Sequence, residues 1–199
     1  SMEIFMGSLL AGDNAAVPSP YDFALGGKGL DPSLPGGVSG TLLQAGQCFM
    51  VDMGGNFYGY MGDMSRVFSI GRLPEQAYTA HQTCIEIQEE IAAMAKPGTV
   101  CEDMYNKAIE IVTKAGFADY FMGVDQKAKF IGHGIGLEIN EMPVLAPRMK
   151  QELEPGMVFA LEPKIVLPGI GPVGIENSWA VTTDGLEKLT LCKEEIIEL

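Results

Sequence analysis

Two stretches of the chain carry apolar residues every three or four positions, which is the spacing of a buried helix face. The first runs from Pro74, which suits a first helical turn, to Ala95, and its apolar face comprises Ala77, Ala80, Cys84, Ile87, Ile91 and Met94. The second runs from Cys101 to Ala115 before Gly116, and its inward residues are Met104, Ala108, Ile111 and Val112. The pattern therefore predicts two consecutive scaffold helices.

The segment Phe49–Gly71, which precedes these helices, has the apolar and aromatic flanks of two strands. Gly54-Gly55-Asn56 is typical turn sequence, so the segment is predicted to form a β-hairpin with Asp52 on one strand and Asp63 on the other. Facing carboxylates repel unless a cation lies between them, and such oxygen ligands suit Mn, Mg, Co or Zn. The alternative is that both are ordinary turn and strand-end carboxylates.

Three later segments are apolar, flanked by glycine and predicted to form short strands: Phe130–Pro143, Gly156–Gly169 and Gly171–Thr190. Each contains one more residue of a metal-ligand type, and these are His133, Glu162 and Glu176. Glu162 directly follows an apolar run, where an unpaired charge would be costly to bury. Together with the two aspartates, these residues are sufficient for two metal ions that share bridging carboxylates.

The beginning of the chain is predicted to be less regular. Residues Glu3 to Leu10 are predicted to form a short strand. The following stretch, Ala15–Gly40, is rich in proline and glycine and is expected to be irregular but packed, anchored by Tyr21, Phe23 and Leu25.

Composition restricts the class of protein. The chain has 199 residues, of which 47% are hydrophobic, so residues 1–199 are predicted to form a single domain. No apolar run reaches the length of a membrane helix, and a net charge of −13 argues against a nucleic-acid partner. The four cysteines are scattered, which favours reduced thiols and a cytoplasmic protein.

The order of the motifs resembles one known family. The motifs are, in order, Asp52 and Asp63, then GHGIGL, then EP, then IEN before TTDGLEKLT. In this order of its motifs the chain resembles the pita-bread metallopeptidases, which include methionine aminopeptidases, prolidases and aminopeptidases P. The versions VDMGGNFYGYMGDMSR and ALEPK resemble most the Xaa-Pro dipeptidase and creatinase-like branch. The resemblance implies an α+β fold with a curved antiparallel sheet and helices on its outer face. It also implies that this is a C-terminal catalytic domain whose first αβ half is incomplete, a piece of a longer protein.

The resemblance further implies roles for the five residues. Asp52 would bind one metal, Asp63 and Glu176 would bridge both, and His133 and Glu162 would complete the other site. Glu162 would also act as general base toward a water shared by two divalent ions, which could be Mn, Co, Zn or Fe. The implied reaction is exopeptidase cleavage of an Xaa-Pro bond in a peptide with proline in second position. Homodimers are common in the family.

Two departures from the family concern histidines. Relatives usually carry a histidine where this chain has Asn140, and many carry another in the proline-rich region, where this chain has none. Asn140 is expected to contribute to catalysis, because its amide can donate a hydrogen bond, although it cannot carry positive charge. These departures predict an intact metal centre with an altered or reduced peptidase rate.

The remaining candidates each have two interpretations. Tyr60 could line the substrate pocket or belong to the core, and Lys164, where many relatives have glycine, could anchor a substrate carboxylate or be a surface charge. Arg66 could pair with a carboxylate behind the metal ligands or only cover a strand. His81 is expected to be structural or exposed. Glycine at positions Gly132, Gly134 and Gly136 would let the backbone come close to the site, although a simple β-bulge would use the same residues.

Two classes of function remain open from the sequence. The first is a dinuclear metallo-exopeptidase. The second is a non-hydrolytic protein of the same fold that binds peptides or a protein partner. A metal-free, creatinase-like hydrolase is disfavoured because that branch normally lacks the complete ligand set.

Overall fold

The computed structural model describes residues 7–18, 25–33 and 36–199. Its first sheet has four strands in the order β1 (Gly7–Ala11), β2 (Cys48–Phe57), β3 (Tyr60–Ser69) and β11 (Ile197–Glu198). The pairs β1–β2 and β2–β3 are antiparallel as predicted, whereas β3 and β11 are parallel. The predicted N-terminal strand is thus confirmed over the part that the structure describes.

The hairpin β2–β3 forms as predicted, but its turn lies elsewhere. Gly54-Gly55-Asn56 pairs within the ladder, and the chain reverses at Tyr58 and Gly59, whose φ values are 51° and 88°. Two successive residues with positive φ are characteristic of the type I′ turn, whose twist matches that of the strands. The strands therefore extend past the glycines, and the predicted turn position was wrong.

The register of the hairpin sets the two aspartates on one face. Asp52 lies opposite Ser65, and Asp63 lies opposite Gly54. Because side chains alternate between faces along a strand, these four positions share a face, and the aspartates are diagonal neighbours. The sequence had suggested that the two aspartates face each other directly across the ladder, and this was wrong.

The second half of the chain forms a five-stranded antiparallel sheet and a two-stranded ribbon. The sheet order is β10 (Leu186–Lys188), β9 (Asn177–Val181), β6 (Val158–Leu161), β4 (Gly132–Gly134) and β5 (Glu141–Val144). The ribbon pairs β7 (Lys164–Leu167) with β8 (Gly171–Gly174). An isolated bridge between Ser65 and Glu176 joins the aspartate-bearing hairpin to this half. That contact brings the candidate ligands of both halves together.

The helices α1 (Glu75–Met94) and α2 (Cys101–Lys114) agree with the predicted spans to within one residue at each end. Their predicted apolar faces are buried in the main core, apart from Met94 in the last turn of α1, which is 37% exposed. No helix among the described residues could cross a membrane. Two helices and mixed sheets confirm the α+β class.

The proline- and glycine-rich region is irregular where it is described. Leu25 packs against a small apolar cluster of Leu10, Ala15 and Val166, as expected for an anchor. The other two predicted anchors, Tyr21 and Phe23, lie outside the described residues.

Candidate metal centre

All five predicted ligands converge on one cavity. Asp52 and Asp63 come from the hairpin, His133 from β4, and Glu162 and Glu176 from the residues that directly follow β6 and precede β9. Two groups have ligand atoms within 4.8 Å of one another: Asp63, His133 and Glu176, and Asp52, Glu162 and Glu176. Glu176 belongs to both groups, so the arrangement resembles two adjacent cation positions with a shared carboxylate.

Glycines beside His133 allow its neighbouring strands to approach. A Cβ atom on Gly132 would lie 2.4 Å from the carbonyl oxygen of Ala160, and one on Gly134 would lie 2.3 Å from that of Met142. The pairing of β4 with β5 also shifts register between His133 and Gly134. At Gly132 and Gly134, close approach of the neighbouring strands and a strand irregularity therefore occur together.

The imidazole of His133 is oriented as a ligand would be. Its Nδ1 lies 3.1 Å from the carbonyl oxygen of Gly134, and donating there leaves the Nε2 lone pair facing the cavity. Nε2 lies 3.5 Å from Oε1 of Glu162, 3.9 Å from Oδ2 of Asp63 and 4.0 Å from Oε1 of Glu176. Neighbouring donors around a tetrahedral ion with bonds of about 2.1 Å lie roughly 3.4 Å apart. His133, Asp63 and Glu176, whose ligand atoms all lie within 4.8 Å of one another, are therefore suited to one divalent ion, and Oε1 of Glu162 lies next to Nε2 of His133.

Lys164 occupies the other side of the cavity. Its Nζ lies 2.6 Å from Oε2 of Glu162, 2.7 Å from Oδ2 of Asp52 and 3.4 Å from Oε2 of Glu176. The side chain is 2% exposed, so Lys164 is not a surface charge, and its role as an anchor for a substrate carboxylate stays a prediction. The second ligand group thus surrounds an ammonium, and these residues do not fit a second ion while Lys164 is present.

The buried charges perturb one another. Burial lowers the pKa of Lys164, but the negative charges of Asp52, Glu162 and Glu176 outweigh this effect and raise that pKa well above its usual value. Burial, followed by repulsion from Asp52, raises the pKa of Asp63 to about 6. Burial also raises the pKa of Glu176 well above its usual value. Burial and the neighbouring carboxylates thus disfavour the ionised forms of Asp63 and Glu176 despite the ammonium, as expected for a cation site.

Two neighbouring residues hold Glu176 in position. The hydroxyl of Ser65, which the sequence analysis missed, donates to Oε2 of Glu176 over 2.6 Å. The only sequence signal for Ser65 is its place two residues after Asp63, on the same strand face. Arg66 donates from Nη1 to the backbone carbonyl of Glu176 over 2.8 Å. It bonds to carbonyls and an amide rather than to a carboxylate, and it is buried.

The other predicted residues have different locations. Asn140 is exposed and lines the same cavity. Tyr60 begins β3 at the tip of the hairpin, where it is 66% exposed, so it belongs neither to this cavity nor to the core. His81 is structural, as predicted. It is buried, its Nε2 donates to the carbonyl of Glu194, and its Nδ1 accepts from the amide of Gly174.

The sequence matches the metallopeptidase family M24 over residues 2–183. The chain belongs to this family. It is 30% identical to the Xaa-Pro dipeptidase of Pyrococcus furiosus over 185 residues, which are 92% of this chain and 51% of that protein. The uncharacterized peptidase YqhT of Bacillus subtilis is 32% identical over 92% of this chain and 50% of its own length. The family that the motif order predicted is thus confirmed.

Solved structures of the M24 family share this fold. The X-Pro aminopeptidase from Thermotoga maritima MSB8 matches with a TM-score of 0.80 and 26% identity, over 97% of this chain and 49% of that one. The prolidase from Pyrococcus horikoshii OT3 matches with a TM-score of 0.78 and 27% identity, over 96% and 49%. The pita-bread fold is confirmed. The chain spans about half the length of these relatives.

Proposed function

We propose that this chain carries the metal centre of a peptidase that cleaves the bond between an N-terminal residue and a following proline. The observation that supports it best is the convergence of four carboxylates and one imidazole on a single cavity. A protein without a cation to bind gains nothing evident from burying so many ionisable groups together. The names of the relatives, Xaa-Pro dipeptidase and X-Pro aminopeptidase, supply the substrate class.

Asp63, His133, Glu162 and Glu176 would hold a divalent ion in this proposal. Such an ion, when bound, polarises the scissile carbonyl and makes a coordinated water more acidic. The mixed nitrogen and oxygen donors suit Mn, Co, Zn or Fe, so manganese remains one candidate among these. The two-ion mechanism expected from the family would also need the group of carboxylates that Lys164 contacts.

The side chains of the cavity divide the remaining tasks. Glu162 is the candidate general base, since its Oε1 faces His133 across the cavity while Lys164 holds its Oε2. Asn140 lines the cavity and can donate a hydrogen bond from its amide to the carbonyl oxygen of the substrate. A neutral amide at this position stabilises developing negative charge on the substrate less than the positively charged imidazolium of a histidine would. Slow turnover is therefore part of the proposal.

A second candidate is a non-hydrolytic protein that binds peptides or a protein partner. The specific observation in its favour is the ammonium of Lys164 within the carboxylate cluster, together with Asn140 in place of a histidine. A cytoplasmic location and a homodimer stay predictions. Three of the four cysteines are buried thiols, which agrees with a reducing compartment.

The test is hydrolysis of Ala-Pro and Leu-Pro, compared with Ala-Ala, after chelation and reloading with Mn(II), Co(II) or Zn(II). We expect metal-dependent release of proline from the first two peptides and none with Asp63→Asn. The matched control is Asp119→Asn, an exposed aspartate outside the cavity, which should keep the wild-type rate. Calorimetric binding of Ala-Pro without any release of proline would favour the non-hydrolytic candidate instead.

A further inference from the structure

The ammonium of Lys164 has one carboxylate oxygen near it for each of its three N–H groups. An ammonium has three N–H groups, and three carboxylate oxygens, from Asp52, Glu162 and Glu176, surround Nζ at 2.7, 2.6 and 3.4 Å. These residues are the same three that form the second candidate metal group. The ammonium therefore already satisfies the oxygens that would have to coordinate a second ion.

The two glutamates divide their oxygens between two cation positions. Oε2 of Glu162 and Oε2 of Glu176 face Lys164, whereas Oε1 of each faces Nε2 of His133. Each carboxylate thus bridges from the ammonium to the space beside His133 and Asp63. This is the arrangement of bridging ligands in a two-cation centre, with a lysine as one of the cations.

The lysine is held in this place by its strand. Its carbonyl accepts from the backbone amide of Met122 over 2.8 Å, and its side chain is 2% exposed. On the partner strand, a Cβ atom at Gly174 would lie 2.9 Å from Cα of Lys164, so β7 and β8 approach closely there. Removing the ammonium from these three carboxylates, of which Glu162 and Glu176 are buried, would leave their charges uncompensated, which is costly.

A metal ion cannot share this position with the ammonium. An ion bound to the same oxygens would lie about 2.0–2.2 Å from each, in contact with Nζ and competing for the same lone pairs. Two cations at such a short distance repel strongly in a buried site. The space beside His133, by contrast, is lined by Oε1 atoms and by Asp63, which Lys164 leaves available.

We propose that Lys164 permanently occupies one of the two cation positions, so that the centre binds a single divalent ion, held by Asp63, His133, Glu162 and Glu176. The inference deepens the proposed function and rests on the same metal centre, but it concerns ion number rather than turnover. Lys164 then takes over the structural and electrostatic task of the second ion, and Asp52 becomes the partner of the lysine instead of a metal ligand.

The test is a Mn(II) titration of the full chain, read by metal counting after desalting and by electron paramagnetic resonance. We expect one ion per chain and the spectrum of isolated Mn(II). Lys164→Gly, which removes the ammonium and opens its space, should double the count to two and give a spin-coupled spectrum. The matched control is Lys150→Gly, an exposed lysine paired with Glu102, which should stay at one ion.

A second variant keeps the test decisive if Lys164→Gly does not fold. Asp52→Asn should still bind one ion, because the Asp52 carboxylate accepts from Lys164 and is not in the ligand group that contains His133, whereas a two-ion centre would fall from two ions to one. Two coupled ions, or none, in the wild-type chain would overturn the inference. The peptidase proposal is judged separately, since hydrolysis with two ions refutes only the inference, and one ion without hydrolysis refutes only the proposed activity.

Discussion

Arg66 should be the most sensitive residue outside the metal ligands, because it joins β3, β9 and the C-terminal segment. The guanidinium is buried, with five hydrogen bonds of 2.6–3.1 Å. Its acceptors are the carbonyl oxygens of Ser65, Glu176, Cys192 and Lys193 and the side-chain oxygen of Asn177. Arg66→Met would keep most of the packing but remove every donor.

The expected cost follows from the buried bonds alone. Three of the five bonds, to Ser65, Glu176 and Asn177, are fully buried, so water cannot replace the donor there. A hydrogen bond to a charged group contributes about 1.5–3 kcal/mol, and the lower value for the three buried bonds gives a loss of about 4.5 kcal/mol. For a chain of this size that corresponds to a decrease in Tm of roughly 9–18 °C.

The assay is urea unfolding followed by fluorescence of Trp179, the only tryptophan. The matched control is Arg72→Met, because Arg72 is 79% exposed, pairs with the exposed Glu75 and lies 6.0 Å from the ring centre of Tyr78, so its replacement should cost less than about 1 kcal/mol. A loss below about 1 kcal/mol for Arg66→Met, or equal losses for both variants, would refute the assignment of Arg66 as a buried link between these elements.

Three further predictions follow from the centre. Burial raises the pKa of Asp63 to about 6, so the metal-free folded protein keeps a proton that the unfolded chain releases, and stability should fall by up to about 3 kcal/mol between about pH 4 and 6. Urea unfolding in chelator should show this slope, and Asp63→Asn should make it shallower, since Glu176, whose pKa is also raised, contributes a slope of the same sign. Ser65→Ala removes the hydroxyl that orients Glu176 and should weaken Mn(II) binding about tenfold by calorimetry; unchanged affinity would contradict that role. Gly132→Ala would place a Cβ 2.4 Å from a backbone oxygen of β6 and should lower Tm clearly, whereas Gly55→Ala, with no atom within 4 Å, should not.

The sequence predicted the helices and the candidate ligands because both leave local signals. The spacing of Ala77, Cys84 and Ile91 defines one helix face without reference to the rest of the chain. Glu162 and Glu176 are recognisable because each is a charged residue within an apolar segment, where burial without a partner is costly. Such signals depend on local sequence alone, so they can be recognised without knowledge of the fold.

The turn of the hairpin could not be placed because two sites compete for it. Gly54-Gly55-Asn56 has turn composition, whereas the actual turn uses Tyr58, a residue that rarely adopts positive φ, followed by Gly59. Pairing of the longer strands, including Asn56 with Met61, decides between them. The diagonal placement of Asp52 and Asp63 depends on that register, so it could not be predicted from the local sequence either.

Lys164 was misjudged for a related reason, and the error concerns the chemistry of the centre. The sequence suggests that this lysine, two residues after Glu162, anchors a substrate carboxylate or is a surface charge, because local sequence does not show the direction of a side chain. The strand β7 is buried along its whole length, and the bond from Nζ to Asp52 spans two distant segments. A complete set of ligand residues in the sequence therefore does not determine how many metal ions a centre binds. A lysine can be buried among such ligands, and only the fold shows that Lys164 donates to three of these carboxylates.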